Sequence, residues 1–574
     1  MTYDLLITNG KVVDGSGAPA FMGDVGIRNG RIAGIGKLRG SAKRTIDANG
    51  LVVAPGFIDS HCHFDAQVTW DPLCTFSCYH GATSVIIGNC SLGLAPVRKG
   101  QEERVEEFLS YVEAIPMEIL KTVDVSWESV GEYLDVVEQR LGVNVGALIG
   151  HTPVRHYVMG KDSQGREPTP QEIEAMREVV KEGMEAGALG LSFSMSTGHY
   201  DPHGVMIPSV WANEEEVFAL SGVLGELGTG VIQAGSGNVV EEKTRLMSRL
   251  SEATGRQVIY NNLTQSMRRP TAWKDQIVRL EETVKAGIRA YPTCSPLMTT
   301  TRFNMHNTQV FRGVPTWHPI LIAPDAEKLR AYADPAVRAK LHEEMVEWKA
   351  EIKGNLTLHK FWYDTIWVEK AALEKNRKYD GKSIRELAEM QCKGIIDAML
   401  DLVIEENLDT VFLQGVSGFD KEAMSQILNY PNAFIGLSDA GAHVQFRAGY
   451  GYSSVLLGHW VRKHKIMTLE QAVKKLTFDL AHGFGIYDRG MLRPGLAADI
   501  VIFDPDTIDT LPQQRVDDLP GGGWRMQELA VGVHYTVVNG EVLLENGKHT
   551  GALPGRVLRN SLYQQRLQPA RKAA

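Results

Sequence analysis

The sequence lacks the features that mark several classes of protein. Its six cysteines in 574 residues form no Cys-X-X-Cys pair and are too few for a disulfide scaffold. Its 60 basic and 69 acidic residues are scattered along the chain, with a formal charge of -9, so no basic stripe is available for a phosphate backbone. No apolar run approaches the length of a membrane span, and no secretory leader is recognisable. We therefore expect a cytoplasmic protein with neither a nucleic-acid nor a membrane partner.

Motifs of several other enzyme classes are also missing. Neither GxxxxGK[ST] nor GxGxxG stands between a strand and a helix, which argues against a nucleotide-binding fold. The serine hydrolase elbow GxSxG is represented only by the fragment Gly235-Ser236-Gly237, which lacks the full pattern. Nucleophilic serine chemistry is therefore not supported.

Strand-like segments at the two chain ends share one pattern. Near the start, apolar runs alternate with the turns Asn9-Gly10 and Asn29-Gly30. Asn-Gly between apolar runs indicates a hairpin, because type I′ turns need positive φ at both central positions. A similar pattern returns at Asn539-Gly540. We predict one small β-sandwich domain built from residues 1–55 and 490–550, followed by a C-terminal extension over residues 551–574.

The middle of the chain alternates strand-like and helix-like stretches. Apolar runs are separated by polar, helix-periodic segments such as residues 101–114, 169–186 and 213–227. This alternation is typical of parallel strands joined by crossover helices. It predicts an α/β fold with a (β/α)8 TIM-like barrel over residues 56–489, in which the strand ends converge on one face. The eight predicted strands end at His63, Cys90, His151, Ser194, Ala234, Asn262, Pro292 and Asp439.

One segment, residues 295–430, is too long for a single crossover helix. It contains helical runs at residues 340–353 and 384–407. No Gly/Ser/Pro-rich boundary marks it as a separate domain. We interpret it as a helical insertion between strands seven and eight, and its role as a lid over the active face or as an interface stays open. Its tryptophans are Trp317, Trp348, Trp362 and Trp367.

Two histidines end the first predicted barrel strand. His61 and His63, at positions i and i+2 of a strand, point to the same side and can present two imidazole nitrogens to one cation, while Cys62 faces away. The alternative is a pair of histidines satisfied by backbone groups. Their position at the end of a predicted barrel strand, just after the N-terminal β-segments, favours a metal site.

At this point the sequence resembles the amidohydrolase superfamily and, within it, the D-aminoacylase (N-acyl-D-amino-acid deacylase) family, amidohydrolase family 3. The resemblance covers nearly the whole chain. It rests on NGKVVDGSG at residues 9–17, PGFIDSHCH at 55–63, GNCSLGLAP at 88–96, GHTPVR at 150–155, GALGLS at 187–192, Ser438-Asp439, and GMLRPGLAAD at 490–499.

The resemblance implies a metal-dependent hydrolase that acts on non-peptide C–N bonds. The family uses the cysteine that matches Cys90 as a metal ligand, where many relatives use a carboxylated lysine, and a thiolate suits zinc. The aspartate that matches Asp439 contacts the metal and acts as general base toward a metal-activated water. The residues themselves leave two alternatives open: Cys90 as a small buried apolar residue, and Asp439 as a helix N-cap.

The predicted ends of strands five and six depart from the family's pattern. D-aminoacylases carry histidine ligands there, whereas this chain has Gln233 and Asn262, which we expect to contact the substrate. We therefore favour one zinc ion per chain, without excluding two. The predicted ligands are His61, His63, Cys90 and Asp439.

Five further residues are weaker candidates for the site. His151 and His443 lie at or just beyond strand ends, where either can polarise the scissile carbonyl or bind a substrate carboxylate. His151 is also a candidate for a missing metal ligand, and a structural role is an equal alternative for both. Arg155, Tyr291 and Arg302 are candidates for contact with an anionic substrate group, with a surface role as the alternative.

Together these features predict hydrolysis of a small linear amide. The resemblance implies an N-acyl-D-amino acid or a related acylated amine, with Asp439 acting as base and then as acid. Two alternatives stay open: a cyclic amide or imide hydrolase similar to hydantoinases, and a non-catalytic barrel that acts as a binding protein. If the protein is an enzyme, we expect its binding partner to be a small-molecule amide substrate. Whether the chain forms a homo-oligomer stays open.

Overall fold

The computed structural model describes residues 2–235, 240–306, 308, 310–350 and 358–567, and strands recur throughout this range. The strands in chain order are β1 Thr2–Val12, β2 Phe21–Arg28, β3 Arg31–Gly36, β4 Ser41–Asp47, β5 Val52–Pro55, β6 Phe57–Asp59, β7 His61–Cys62, β8 Ala82–Ile87, β9 Asn144–Gly150, β10 Gly190–Ser194, β11 Val231–Gly235, β12 Gln257–Tyr260, β13 Ala290–Cys294, β14 Thr299–Phe303, β15 Ile366–Lys370, β16 Val411–Ser417, β17 Phe434–Ile435, β18 Leu437–Ala440, β19 Ile500–Phe503, β20 Asp509–Thr510, β21 Gln514–Leu519, β22 Gly523–Gln527, β23 Ala530–Val531, β24 Val533–Val538, β25 Glu541–Glu545 and β26 Lys548–His549.

Helices lie between most of these strands, and local sequence signals set several of their starts. Thr169 and Glu172 form a capping box ahead of α6, for example, and Pro170 occupies its first turn. The helices are α1 Gln67–Trp70, α2 Glu102–Glu113, α3 Met117–Leu120, α4 Val130–Glu138, α5 His151–Met159, α6 Pro170–Glu185, α7 Glu214–Glu226, α8 Val240–Thr254, α9 Ala272–Lys285, α10 Trp317–Leu321, α11 Asp325–Ala333, α12 Pro335–Met345, α13 Ile384–Gln391, α14 Ile395–Glu405, α15 Lys421–Asn429, α16 Tyr452–Val455, α17 Leu469–Leu476, α18 Phe478–Gly483 and α19 Ser561–Leu567.

Eight consecutive parallel strands form the central sheet. β6 pairs with β8, and the pairing continues through β9, β10, β11, β12 and β13 to β17. The sheet closes on itself because β18, which follows β17, pairs in parallel with β7, which follows β6. β8 and β9 are buried along their whole length, as expected of parallel strands that are covered on both faces. The predicted (β/α)8 barrel is confirmed.

The carboxyl ends of the barrel strands fall close to the predicted positions. β10 ends at Ser194 as predicted, and β9 ends at Gly150, one residue before His151. β8 ends at Ile87, three residues before Cys90. Cys90 therefore lies in the turn after the strand, with φ of 56°. Residues at these ends converge on one face of the barrel.

A second sheet joins strands from both ends of the chain. Its order is β26-β25-β24-β19-β5-β1-β2-β3, with β4 also paired to β1. β5 lies between β1 from the start of the chain and β19 from its far end, and Val53 pairs with both Val12 and Ile502. An apolar core of residues from both ends, including Ile7, Val25 and Ile500, packs on this sheet. The two ends thus fold together, and the predicted domain boundaries stay a prediction.

Residues 264–275 and 298–424 form a second compact unit. The antiparallel strands β14, β16 and β15, which the sequence did not predict, form its sheet. Its apolar core contains Trp317 and Trp362, both fully buried, and Phe311 stacks on Trp317 with ring centroids 4.1 Å apart.

Two helix predictions in this unit need correction. The single run predicted over residues 384–407 is two helices, α13 and α14, because Cys392 adopts a left-handed conformation with φ of 52° and ends α13. The run predicted over 340–353 corresponds to α12, which starts at Pro335 and ends at Met345, and residues 351–353 lie outside the described residues.

The predicted C-terminal extension packs on the barrel where it is described. The Val145 amide donates to the Arg556 carbonyl at 3.0 Å, and the Leu558 amide donates back to Val145. Residues 568–574 lie outside the described residues. In the described part of the chain, no helix combines the length and apolar character needed to cross a bilayer, and the cellular location stays a prediction.

Candidate metal centre

Three buried side chains meet where the first and second barrel strands end. His61 and His63 are each 1% exposed, and His61 Nε2 lies 3.4 Å from Cys90 Sγ. One ligand atom from each of the three residues lies within 4.8 Å of the others. Cys62 points the other way and donates its thiol to the Ile86 carbonyl at 3.2 Å. The alternation of side chains from β7 to the residue that follows it therefore brings the two imidazoles to one side, as the His-X-His pattern predicts.

Asp439 adds a carboxylate oxygen to this group. Its Oδ1 lies 3.2 Å from His63 Nε2 and 3.8 Å from His61 Nε2. Asp439 belongs to β18, the strand that pairs with β7, so closure of the barrel is what brings it to the histidines. It also adopts a left-handed backbone conformation with φ of 59°, which is costly for a residue that has a Cβ and recurs at functional sites.

The chemistry of this group of donors fits a zinc ion. Zinc is bound by imidazole nitrogen, thiolate and carboxylate at about 2.0–2.3 Å, commonly with tetrahedral geometry. Donor atoms that share such an ion lie roughly 3.3–3.8 Å apart, close to the separations seen here. Within the described residues, His61 Nδ1 and both ring nitrogens of His63 are buried without a hydrogen-bond partner. Buried polar atoms normally have a partner, so these nitrogens fit a site that binds a cation.

Nearby positive charge keeps the Asp439 carboxyl ionised. Burial opposes its ionisation, but the Arg447 guanidinium and His63 outweigh burial and hold the pKa of the Asp439 carboxyl well below its usual range. Arg447 donates a hydrogen bond from Nη2 to Asp439 Oδ2. The second carboxylate oxygen, Oδ1, is the one that faces the histidines.

For Cys90 and His61, burial outweighs the nearby charges and favours the neutral form of each side chain. It raises the pKa of the Cys90 thiol to about 11, although His63 opposes the shift. It also lowers the pKa of His61 to about 3, helped by the charge of His63. A neutral His61 is ready to donate a lone pair, whereas Cys90 needs a bound cation to become a thiolate at neutral pH.

A cavity of about 240 Å³ opens beside these donors. Two histidines of its wall, His199 and His443, have their pKa values lowered to about 4, because burial disfavours their charged forms. Both are therefore neutral imidazoles at pH 7. The cavity is lined by His61, Cys90, Val112, Glu113, His199, Asn261, Asn262, Leu437, Asp439 and His443.

Comparison with known proteins identifies the family. A family model described as the amidohydrolase family matches residues 44–544. The chain belongs to the amidohydrolase family. It is 28% identical to a D-aminoacylase from Alcaligenes xylosoxydans xylosoxydans over 565 residues, which cover 97% of both chains. The predicted resemblance is confirmed, and membership supports metal-dependent amide hydrolysis.

Two solved structures share the fold of this amidohydrolase. One is a D-aminoacylase with a binuclear metal center, 24% identical, with a TM-score of 0.66 over 97% of this chain and 100% of that chain. The other is an N-acyl-D-glutamate deacylase from Bordetella bronchiseptica in complex with zinc and a phosphonate inhibitor. It is 23% identical, with a TM-score of 0.65 and the same coverage.

In this amidohydrolase, amide side chains lie within strand five, β11, and just after strand six, β12. Gln233 Oε1 accepts a hydrogen bond from the Cys90 amide at 3.3 Å, and so holds the turn that carries the thiol. Asn261 Nδ2 lies 3.5 Å from His61 Nε2, and Asn262 lines the cavity. Of the two predicted substrate contacts, Asn262 lines the cavity, whereas Gln233 contacts the Cys90 turn and is not among the described residues that line it. Asn261, which was not predicted, also lines the cavity and contacts His61.

His151 and Arg155 belong to a buried polar network of the amidohydrolase barrel. The His151 ring nitrogens lie 2.9 Å from Glu216 Oε1 and 3.0 Å from Ser209 Oγ. Arg155 Nη1 lies 3.4 Å from the other oxygen of Glu216. His151 begins α5, and its ring turns toward α7 instead of the cavity. The structure therefore does not bring His151 or Arg155 to the cavity lining.

Tyr291 and Arg302 also lie apart from the predicted substrate contacts. The Tyr291 ring packs edge-on against Phe434, with centroids 5.9 Å apart. Arg302, in the second unit, forms an ion pair with Glu369. Neither residue is among those that line the cavity.

Apart from Asn261, three charged or titratable residues that sequence reasoning missed come from outside the strand ends. Glu113 ends α2, His199 lies in the loop after β10, and Arg447 lies in the loop after β18. Glu113 carried no distinguishing signal, since α2 contains further glutamates with helical spacing. His199 stood in a segment rich in serine, glycine and histidine after a predicted strand, the one hint that was available.

Proposed function

We propose that this protein hydrolyses the amide bond of an N-acyl amino acid or a related acylated amine. One zinc ion per chain would be held by His61, His63, Cys90 and Asp439. The observation that carries the proposal is the group of buried donor atoms beside a cavity, with Asp439 Oδ1 3.2 Å from His63 Nε2. Similarity to a D-aminoacylase over 97% of both chains supports the substrate class.

The proposed chemistry divides between the cation and the chain. When bound, zinc supplies Lewis acidity, which lowers the pKa of water and polarises an amide carbonyl. Asp439, ionised at neutral pH, accepts the proton of the attacking water. Its carboxyl then donates that proton to the leaving nitrogen as the C–N bond breaks. Arg447 balances the charge of Asp439 while the proton is absent.

The cavity wall would stabilise the developing oxyanion. His199 and His443 are neutral at pH 7, so each can donate one N–H to the carbonyl oxygen as negative charge forms on it. His199 Nδ1 lies 3.1 Å from Ser194 Oγ, a contact that orients the ring and leaves Nε2 for the substrate. The side-chain amides of Asn261 and Asn262 match the polarity of an amide substrate.

Metal content provides the first test. Zinc is measured by plasma mass spectrometry in wild-type protein and in His61→Ala/His63→Ala, both purified without added metal. We expect about one zinc per chain in the wild type and loss of it in the double variant. A His306→Ala variant, whose imidazole forms ion pairs with Asp325 and Asp409 in the second unit, serves as the control.

A substrate panel provides the second test. Wild-type protein is assayed on N-acetyl derivatives of D- and L-amino acids and on hydantoins and cyclic imides. Release of amino acid from the linear amides supports the proposal, whereas ring opening alone would replace it with a cyclic amide hydrolase. In the metal-content test, a wild-type protein that takes up no zinc even after zinc is added back would favour a non-catalytic binding protein over a hydrolase.

A further inference from the structure

Helix α2 carries a buried carboxylate to the back of the metal-binding group. Glu113 is the last residue of α2, is 4% exposed, and lines the cavity. Its Oε1 lies 3.6 Å from His63 Nδ1. Within the described residues, this is the only ion-pair contact of the Glu113 carboxylate.

The position of Glu113 is unfavourable unless a cation balances it. The carboxyl end of a helix carries partial negative charge, so an anion there is disfavoured by about 0.3–1 kcal/mol even on a surface. Burial adds the cost of removing the carboxylate from water. The last turn of α2 contains no basic residue that would offset either cost. The compensating positive charge comes first from His63, which contacts Glu113, and then from Arg447.

The two ring nitrogens of His63 face different carboxylates. Nε2 lies 3.2 Å from Asp439 Oδ1, on the side of His61 and Cys90, and Nδ1 lies toward Glu113. An imidazole that gives one nitrogen to a metal carries its proton on the other nitrogen. That proton usually goes to a carboxylate or carbonyl acceptor, which fixes the tautomer and the ring orientation.

We propose that Glu113 is the positioning residue of the metal centre and accepts the Nδ1 proton of His63. This inference rests on the zinc site of the proposed function. Glu113 holds the tautomer in which Nε2 presents its lone pair to the metal, and it raises the basicity of that nitrogen. The 3.6 Å separation is longer than a hydrogen bond, so the proposal requires the two side chains to approach by a few tenths of an ångström.

The backbone supports this role because it ties α2 to the loop that follows Asp439. The His443 amide donates to the Glu113 carbonyl at 2.5 Å. The end of the helix is thereby held against the loop that follows β18, the strand of the predicted ligand Asp439, and that carries His443 of the cavity wall. This hydrogen bond uses main-chain atoms alone, so it survives a change of the Glu113 side chain.

The test compares zinc affinity across variants of α2. Glu113→Leu removes the acceptor at nearly equal size, and Glu113→Gln restores a neutral acceptor. Loss of such outer partners costs about 10–100-fold in metal affinity, so we expect that loss for Glu113→Leu and partial recovery for Glu113→Gln. Glu106→Leu is the matched control, since Glu106 is 5% exposed on the same helix and does not line the cavity. Its zinc affinity should equal that of the wild type.

Zinc dissociation constants are measured by competition with a chromogenic chelator, and the zinc-induced rise in melting temperature gives a second reading. If Glu113→Leu does not fold, the shift in melting temperature of Glu113→Gln replaces it and should be smaller than in the wild type. Wild-type affinity in the Glu113 variants would overturn the positioning role and leave the zinc hydrolase intact. A wild type that binds no zinc would overturn both proposals.

Discussion

Replacement of Glu216 by leucine should destabilise the protein strongly while leaving the metal centre in place. Glu216 and Arg155 are both fully buried, and His151 completes the network at 2.9 Å from Glu216. Glu216→Leu removes the carboxylate that contacts both His151 and Arg155, and leaves the Arg155 guanidinium without its counter-charge. Removal of one partner of a buried ion pair costs about 3–5 kcal/mol.

The surrounding contacts set limits on this magnitude. Arg155 also donates to the carbonyls of Ser163 and Arg166, at 3.2 and 2.7 Å, so part of its hydrogen bonding survives. We therefore expect about 3 kcal/mol, the lower end of that range. Glu216→Gln keeps an acceptor for His151 and should cost only about 1–2 kcal/mol.

The free energy of unfolding is measured by urea denaturation, together with zinc content. The control is Glu214→Leu. Glu214 lies on α7, the helix that carries Glu216, and forms an exposed ion pair with Arg249 of α8. Loss of this pair should cost no more than about 1 kcal/mol. A loss of less than 1 kcal/mol for Glu216→Leu would refute the reasoning about the buried network. Loss of zinc from a folded Glu216→Leu protein would instead show that His151 acts on the metal centre.

Three further predictions concern the donors and one distant carboxyl. Cys90→Ser should weaken zinc binding by at least ~10-fold, measured by chelator competition, because a hydroxyl is a poorer zinc ligand than a thiolate. Arg447→Met should move the acidic limb of the kcat/KM–pH profile to higher pH, because Asp439 loses the cation that lowers its pKa. Burial raises the pKa of Glu528 to about 7, so its contribution to stability is present below the unfolded pKa of 4.5 and is lost as pH rises through 7. Glu528→Gln should remove this loss of about 3 kcal/mol between pH 4.5 and pH 8, measured by urea denaturation at each pH.

The barrel and the first two donors follow from local pattern. The extended backbone that starts at β7 has a period of two, which puts His61 and His63 on one side. The alternation of strand and helix signals predicts the parallel sheet, and the convergence of strand ends then predicts that Cys90 and Asp439 lie near those histidines. The described distances of 3.2–3.8 Å agree with that expectation.

Side-chain direction and contacts from other elements were decided only by the tertiary structure. His151 and Asp439 both end predicted strands, yet the first turn of α5 aims His151 at Glu216, whereas the left-handed backbone of Asp439 aims its carboxylate at His63. Glu113 reaches the site from the end of a helix, where its sequence environment resembles that of any solvated glutamate. Periodicity determines which residues share a face of one element, whereas packing between elements decides which of those residues meet across the sheet and which helix end supplies a buried charge.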